Sequence, residues 1–323
     1  MTDHALPAVR QIWVAEALLD GHAEAEVVAR LEEAGTPAAL AADAVREIAS
    51  SPALLVARRR LLAHRLRVRV AQAGEGAVED RPDLDARAFR DTYVALGVPV
   101  RIPGFCADWP LAAWTLEDLA ARFGDVEVPV AVGRGAVREP DRRTRELTQT
   151  LPLAEVIRRV EAGEDLYLVA QHRVFEGPLA PLLDAVTPAE GFADRARLRG
   201  GASLWLGPAG TRTALHHDVS SVLFCQVLGR KRVVLVPPFA DGVAATARDF
   251  YASVRLDDPA ARAPGGALHG IPVSEVELGP GDALLLPAGW WHEVVALETS
   301  LSVSLVGMPW PNRFDDHVAG RVA

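Results

Sequence analysis

From residue 98 onward, the chain is divided into short runs of β-branched and other apolar residues with proline and glycine between them. Many short strands at this spacing are typical of a β sandwich or barrel. The last run, Ser-Leu-Ser-Val-Ser-Leu-Val, alternates hydroxyl and apolar side chains, which places each type on its own face of a strand. We therefore predict a mainly β fold. The predicted strands cover residues 98–102, 126–132, 166–170, 203–206, 221–227, 232–236, 283–286, 293–297 and 300–306.

The N-terminal part of the chain has apolar residues at helical spacing instead. Gly21 can end a first helix, and Gly35 follows a second one. Thr36–Pro37 and Ser51–Pro52 each combine an N-cap residue with proline at the first helical position, which predicts two further helices. We expect these four helices to form a small α-helical bundle over residues 1–72.

A polar, glycine-containing stretch at residues 73–83 is predicted to link this bundle to a catalytic domain over residues 84–323. The formal net charge of −9 does not favour a nucleic-acid partner. Two cysteines are too few for a disulfide framework, and the apolar stretches fall short of a membrane span. Because no signal peptide is evident at the N-terminus, we expect a cytoplasmic protein without a membrane partner.

Three candidate metal ligands come from two distant segments of the β region. His216 and Asp218 are one residue apart, so on a strand both would face the same side while His217 faces the other. His292 follows a tight turn in Pro-Ala-Gly-Trp-Trp-His. Two imidazoles and one carboxylate form the facial triad of non-haem Fe(II) sites, which leaves coordination positions open. Zinc with the same ligands could support hydrolysis, so the triad alone does not select the reaction.

The only lysine of the chain, Lys231, lies fifteen residues after His216, whereas every other basic side chain apart from histidine is arginine. A compact ammonium on a flexible stem is not replaced by a forked guanidinium at a tight carboxylate site. We expect Lys231 to bind a carboxylate of an acid by a charge-assisted hydrogen bond. The hydroxyls of Thr213 and Tyr167 could donate to the same carboxylate, although Tyr167 is equally well explained as a core residue.

These motifs resemble the cupin-like JmjC oxygenases, the group that includes the asparaginyl hydroxylase of hypoxia-inducible factor. The resemblance covers residues 84–310 and is carried by an entry strand, Gly-Val-Pro-Val-Arg-Ile-Pro-Gly, and by four further segments. They read Ser-Leu-Trp-Leu-Gly-Pro-Ala-Gly-Thr-Arg-Thr-Ala-Leu-His-His-Asp, Gly-Arg-Lys-Arg-Val-Val-Leu-Val-Pro-Pro, Leu-Gly-Pro-Gly-Asp-Ala-Leu-Leu-Leu-Pro-Ala-Gly-Trp-Trp-His and, upstream, Ala-Asp-Trp-Pro-Leu-Ala-Ala-Trp-Thr.

The resemblance implies a double-stranded β-helix of the jelly-roll or cupin type behind an N-terminal α-helical unit. It also implies Fe(II) held by the three candidate ligands, and 2-oxoglutarate as cosubstrate. In that family, the residues matching Lys231, Thr213 and Tyr167 bind the distal carboxylate of 2-oxoglutarate. The chain departs from the asparaginyl hydroxylase at Val222 and Val306, where that enzyme has asparagines near the cosubstrate.

The reaction expected from this resemblance is hydroxylation of a C–H bond on a protein or peptide side chain, with release of succinate and CO₂. An oxygenase of the same fold that acts on a free amino acid or other small molecule is the first alternative. A non-catalytic cupin that serves as a scaffold or sensor is the second. RNA hydroxylation and histone-type demethylation rank lower. The N-terminal helices could dock a protein partner or form a homodimer.

Overall fold

A computed structural model describes residues 5–20, 22–73, 78–310 and 312. Its contacts divide the chain into two compact units, residues 1–69 and 70–323. Within the described residues, no helix is both long enough and apolar enough to cross a membrane.

The N-terminal unit is a bundle of four helices with a small apolar core. Val14 and Leu18 of the first helix pack with Val27, Leu31 and Val45 of the second and third. The helices are α1 (Ala8–Leu19), α2 (Glu24–Glu33), α3 (Ala38–Ala49) and α4 (Pro52–Ala73).

The two predicted helix caps have different outcomes. The Oγ of Ser51 accepts a hydrogen bond from the Leu54 N–H at the start of α4, as an N-cap does. The prediction for Thr36 was wrong, because α3 begins at Ala38 with Pro37 at its N-cap and no side-chain cap bond. Thr36 instead accepts a hydrogen bond of 2.6 Å from Arg10 of α1. Gly21 lies outside the described residues.

The C-terminal unit is mainly β. Its strands are β1 (Glu79–Asp80), β2 (Val100–Ile102), β3 (Glu127–Val132), β4 (Thr148–Pro152), β5 (Leu166–Tyr167), β6 (Ala202–Gly207), β7 (Arg212–His216), β8 (Val222–Leu228), β9 (Lys231–Val236), β10 (Ala247–Arg248), β11 (Tyr251–Ala252), β12 (Ser274–Leu278), β13 (Ala283–Leu286), β14 (Trp291–Ala296) and β15 (Ser300–Leu305). Its helices are α5 (Ala86–Ala88), continued by a π-helical turn (Phe89–Val94), α6 (Leu116–Phe123), α7 (Thr144–Leu147), α8 (Leu153–Glu161), α9 (Leu198–Gly201), α10 (Asp241–Ala244) and α11 (Pro259–Arg262).

Two six-stranded sheets form the framework of this unit. The first, which we call the core sheet, has the order β1-β2-β13-β8-β15-β6, and the second, the site sheet, has the order β10-β11-β7-β14-β9-β12. All neighbours pair antiparallel except β1 and β2. A third, smaller sheet has the order β4-β3-β5. This architecture confirms the predicted double-stranded β-helix with an N-terminal helical region.

The alternation predicted in the last strand is present, but its polar face is not exposed to solvent. All six residues of β15 are buried. Ser302 donates a hydrogen bond to the Gln226 side chain, and Ser304 accepts one from the Trp205 indole. Because buried hydroxyls need such partners, Ser302 and Ser304 act as internal hydrogen-bonding groups of the core sheet, whereas the Ser300 hydroxyl has no partner among the described residues. Strand β7 is not among the strands predicted from apolar runs because it has no β-branched run; only the spacing of His216 and Asp218 suggested a strand there.

Candidate metal centre

Adjacent strands of the site sheet bring the two candidate histidine ligands together. His216 at the end of β7 and His292 near the start of β14 are directly paired, and their ring centroids are 4.1 Å apart. Asp218 follows β7, and its carbonyl accepts a hydrogen bond from the N–H of Gly289. One ligand atom from each of the three residues lies within 4.8 Å of the others.

The local reason for the position of Asp218 differs from the sequence prediction. Strand β7 ends at His216, so strand alternation does not explain how Asp218 reaches the site. The turn before β14 holds Asp218 in place instead. Gly289 in this turn has φ +81°, a conformation that favours glycine, and its N–H donates a hydrogen bond to the Asp218 carbonyl. His217 does face away, since it is buried with its ring edge-on to Trp291 at 4.6 Å.

Backbone carbonyls set the tautomers of both histidines. The Nδ1 of His216 lies 2.7 Å from the carbonyl of Ala214, and the Nδ1 of His292 lies 3.0 Å from that of Trp290. A carbonyl only accepts, so each Nδ1 carries the hydrogen and each Nε2 keeps its lone pair for a ligand bond. Burial, together with neighbouring His216, lowers the pKa of His292 to about 4, which keeps that imidazole neutral at pH 7.

The electrostatics between His292 and Asp218 suit a bound cation. The Nε2 of His292 lies 3.6 Å from the Oδ2 of Asp218. With the hydrogen of His292 on Nδ1, this contact is not an ion pair, because a lone pair faces a carboxylate oxygen. Two acceptors at this distance repel each other, and a cation between them would turn the repulsion into attraction. Two imidazoles that present Nε2 to the site and a carboxylate are a donor set that fits Fe(II).

Lys231, the lone lysine, is the first residue of β9 and is only 1% exposed. Its ammonium lies 5.7 Å from the ring centroid of Tyr167 and 5.2 Å from that of Phe224. Among the described residues, its Nζ has no hydrogen-bond partner. Burial lowers the pKa of Lys231 to about 7. An unpaired ammonium in such a place is costly, and an anion is the group that would complete it.

Thr213 and Tyr167 line one cavity together with the three candidate ligands, whereas Lys231 is not among the residues that line it. Burial raises the pKa of Tyr167 to about 12, and a hydrogen bond with Thr213 opposes that rise. Tyr167 therefore keeps its proton at neutral pH and can serve as a donor. Tyr167 is both buried and part of the cavity wall.

The cavity lies between the two large sheets and has a volume of about 230 Å³. Its wall includes Val222 and Leu286 of the core sheet, Val306 directly after β15, and Val294 of the site sheet. The two positions at which the chain departs from the asparaginyl hydroxylase are therefore part of the cavity, as aliphatic side chains. Neither Trp290 nor Trp291 is among the lining residues; Trp290 donates from its indole to the Gly97 carbonyl.

Some cavity residues gave no signal in the sequence. Asp141 is buried in an ion pair of 2.7 Å with Arg134, and it lines the cavity. Tyr251 and Gln171 line it too, although both lie on segments without a recognisable motif. Asp282, by contrast, forms the turn that its Pro-Gly-Asp context suggests, where it accepts a hydrogen bond from the Gly279 N–H.

Comparison with known proteins identifies the family. Residues 86–311 match the model of the cupin-like domain. The chain is 32% identical over 235 residues to the lysine-specific demethylase JMJ30 of Arabidopsis thaliana, a match that covers 70% of this chain and 54% of that protein. It is 29% identical over 236 residues to the Jumonji C domain-containing protein 5 of Drosophila melanogaster, covering 70% and 59%.

A third relative is the human bifunctional peptidase and (3S)-lysyl hydroxylase JMJD7, which is 30% identical over 169 residues, covering 49% of this chain and 53% of that protein. The chain spans about half the length of the curated relatives it matches. It belongs to the cupin-like domain family, and the resemblance drawn from its motifs to the JmjC-type oxygenases is confirmed.

Proposed function

We propose that this member of the cupin-like family is an Fe(II)- and 2-oxoglutarate-dependent oxygenase that hydroxylates a C–H bond on a protein or peptide side chain. The observation that carries the proposal is the pairing of two incomplete sites on one sheet. A lone pair and a carboxylate face each other at His292 and Asp218. On the same sheet, the buried ammonium of Lys231 lacks a hydrogen-bond partner among the described residues. A divalent cation between His292 and Asp218 would complete the first site. A dicarboxylic acid that binds this cation at one end and reaches Lys231 with its other carboxylate would complete the second.

Each residue has a stated role in this proposal. His216, Asp218 and His292 would hold Fe(II), and all three line the cavity in which the cosubstrate would bind. Lys231 binds the distal carboxylate of 2-oxoglutarate, and Thr213 and Tyr167 donate hydroxyl hydrogens to it. With iron and cosubstrate bound, dioxygen would be the oxidant: one of its oxygen atoms would enter the C–H bond and the other the succinate formed as 2-oxoglutarate loses CO₂. The aliphatic wall of Val222, Leu286 and Val306 excludes water from the reacting centre.

The proposal of a protein or peptide substrate is supported by the names of the relatives. The names of JMJ30 and of the human lysyl hydroxylase denote action on lysine, either demethylation or hydroxylation, which supports a protein substrate. Demethylation of a methylated side chain is therefore the second candidate reaction. Oxidation of a free amino acid stays an alternative, and so does a non-catalytic scaffold or sensor. Homodimer formation through the N-terminal helices and a cytoplasmic location stay predictions.

Metal and cosubstrate binding provide the first test. Anaerobic addition of Fe(II) and then 2-oxoglutarate to the purified full chain is expected to give a weak visible charge-transfer band. His292→Ala should abolish the band by removing a ligand. Lys231→Met should weaken 2-oxoglutarate binding about 100-fold, since it removes a charged hydrogen bond, while metal binding persists. The matched control is Arg230→Met, which removes a neighbouring but exposed positive charge and should leave both unchanged.

Turnover provides the second test. Succinate release is measured over a panel of peptides and free amino acids, with mass spectrometry of each product. Addition of one oxygen atom to a peptide supports hydroxylation, and loss of a methyl group from a methylated peptide supports demethylation. Turnover of free amino acids alone would favour the small-molecule alternative. If wild-type protein shows neither the absorption band nor succinate release, the scaffold or sensor reading replaces the oxygenase.

A further inference from the structure

Tyr251 occupies a position next to the metal ligands that neither motif nor spacing revealed. Strand β11 pairs with β7 so that Tyr251 is opposite His216. The two rings stack, with centroids 5.4 Å apart and an angle of 26° between their planes. Tyr251 also lines the cavity. A phenol held against a candidate ligand is in place to contact whatever approaches the metal.

The polar group beside Tyr251 is the carboxamide of Gln171. Its side chain forms a hydrogen bond with the Tyr251 hydroxyl, and Gln171 lines the same cavity. A phenol can accept one hydrogen bond and donate another, and a carboxamide offers two donors and an acceptor oxygen. Hydrogen-bonding capacity therefore remains on both residues after they have bonded to each other.

Asp141 lines the cavity as well, but its oxygens are already engaged. Its Oδ1 accepts from Arg134 at 2.7 Å, and its Oδ2 accepts from the N–H of Ala214 at 3.0 Å. The charge of the carboxylate is compensated by the guanidinium. Tyr251 and Gln171, by contrast, are an uncharged pair on the cavity wall, with Tyr251 stacked on the candidate ligand His216.

We propose that Tyr251 and Gln171 form a substrate-positioning subsite for an uncharged amide group, with the phenol donating to its carbonyl oxygen and Gln171 accepting from its N–H. The inference rests on the proposed function and adds the chemistry of the group that is held beside the oxidised C–H bond. An amide matches one donor and one acceptor side by side, whereas an ammonium supplies donors alone and would leave the phenol hydrogen without an acceptor. The amide can belong to a peptide bond or to a side-chain carboxamide.

The test measures binding rather than activity. The full chain is loaded with Mn(II) and 2-oxoglutarate, and paramagnetic relaxation of methyl protons is recorded for two probes, N-methylacetamide and methylammonium. We expect stronger relaxation of the amide than of the cation. Tyr251→Phe should weaken amide binding about threefold to tenfold, the range for loss of one hydrogen bond. Tyr93→Phe is the matched control, because the Tyr93 hydroxyl bonds to Glu79 and Tyr93 is not among the cavity-lining residues.

The outcomes separate this inference from the proposed function. Failure of wild-type protein to hold Mn(II) or 2-oxoglutarate, measured in the same samples, removes the proposed function itself. If both bind, yet methylammonium relaxes as strongly as the amide or Tyr251→Phe leaves amide binding unchanged, the subsite assignment is overturned. If Tyr251→Phe no longer binds Mn(II), Gln171→Leu is used instead. Amide binding should then weaken about threefold to tenfold, and unchanged amide binding would overturn the assignment.

A turnover arm identifies the source of the amide. Capped peptides, acetyl-Ala-Ala-X-Ala-Ala-amide with X each of the twenty amino acids, are compared with free asparagine and glutamine as probes. Turnover restricted to X = Asn or Gln and to the free carboxamides indicates a side-chain amide, and turnover over many X without the free amino acids indicates the peptide bond. In either case, Tyr251→Phe should raise KM for the peptide while KM for 2-oxoglutarate stays constant. Turnover restricted to X = Lys or Arg with an unchanged KM in the variant contradicts the proposal.

Discussion

Two buried basic side chains lie near the ring of Tyr167, and they differ in their hydrogen-bond partners. The Cζ of Arg134 is 5.2 Å from the Tyr167 ring centroid, and the Nζ of Lys231 is 5.7 Å from it. Arg134 is 5% exposed and Lys231 is 1% exposed. Arg134 donates to the Asp141 carboxylate and to the Arg212 carbonyl, although its Nη1 has no partner among the described residues. The Nζ of Lys231 has none at all within that set.

Arg134 has an acidic counter-ion within the fold, whereas the Nζ of Lys231 has no hydrogen-bond partner among the described residues. A buried ion pair holds its own charges, so Arg134 and Asp141 can fix the wall of the cavity without help. A buried ammonium without a counter-ion costs stability, and such a cost persists where binding needs it. The lowered pKa of Lys231 is the electrostatic sign of that cost, since its cause is burial alone.

Removal of the paired cation should have the largest effect. Arg134→Met leaves the carboxylate of Asp141 buried without its counter-ion, and we expect the free energy of unfolding to fall by about 3–5 kcal/mol. Urea or thermal denaturation measures the change. Arg134→Met combined with Asp141→Leu is the control, because removing both charges should restore much of the loss. If the single variant is as stable as the wild type, the pair does not support the fold.

Removal of the unpaired cation should have the opposite sign. Lys231→Met replaces a buried amine by an apolar side chain of similar length, so the ligand-free protein should gain about 1–3 kcal/mol of stability at pH 7. The pKa of Lys231 falls from 10.5 to about 7 on folding, so the unfolded chain binds the proton more tightly and wild-type stability rises with pH across that window. The gain in the variant should therefore shrink between pH 7 and pH 10. A loss of stability in Lys231→Met would show that the ammonium is satisfied within the fold.

The smallest effect concerns cosubstrate affinity as a function of pH. With a pKa of about 7, Lys231 is cationic below that pH and neutral above it, and a dicarboxylate binds the cationic form. The Kd for 2-oxoglutarate should be constant below pH 7 and rise up to about tenfold per pH unit above it. Calorimetric titrations under anaerobic conditions, in buffers of different ionisation enthalpy, report both the Kd and the proton taken up. A constant Kd from pH 6 to pH 9 would contradict the assignment.

The sequence identified candidate site residues where the expected chemistry requires a particular residue type. His216, Asp218, His292 and Lys231 could be selected because they are unusual residues in recognisable segments. The alternation of β15 predicted its two faces, and the spacing of short apolar runs predicted the β architecture. The contribution of Asp218 was predicted for the wrong reason, since strand β7 ends before it. Tyr251, Gln171 and Asp141 could not be selected, because ordinary polar residues in loops and short strands have no pattern of their own.

The sequence by itself determined the kinds of group that are available: two imidazoles, a carboxylate and one ammonium in a chain whose other strongly basic side chains are all arginine. Only the tertiary structure decided which charges are satisfied. Hydrogen-bond saturation depends on distances between segments far apart along the chain, such as Arg134 with Arg212 or Asp218 with Gly289. Composition and spacing do not contain those distances. Tertiary packing pairs Arg134 with Asp141, and it buries Lys231 near the rings of Tyr167 and Phe224 without a hydrogen-bond partner among the described residues.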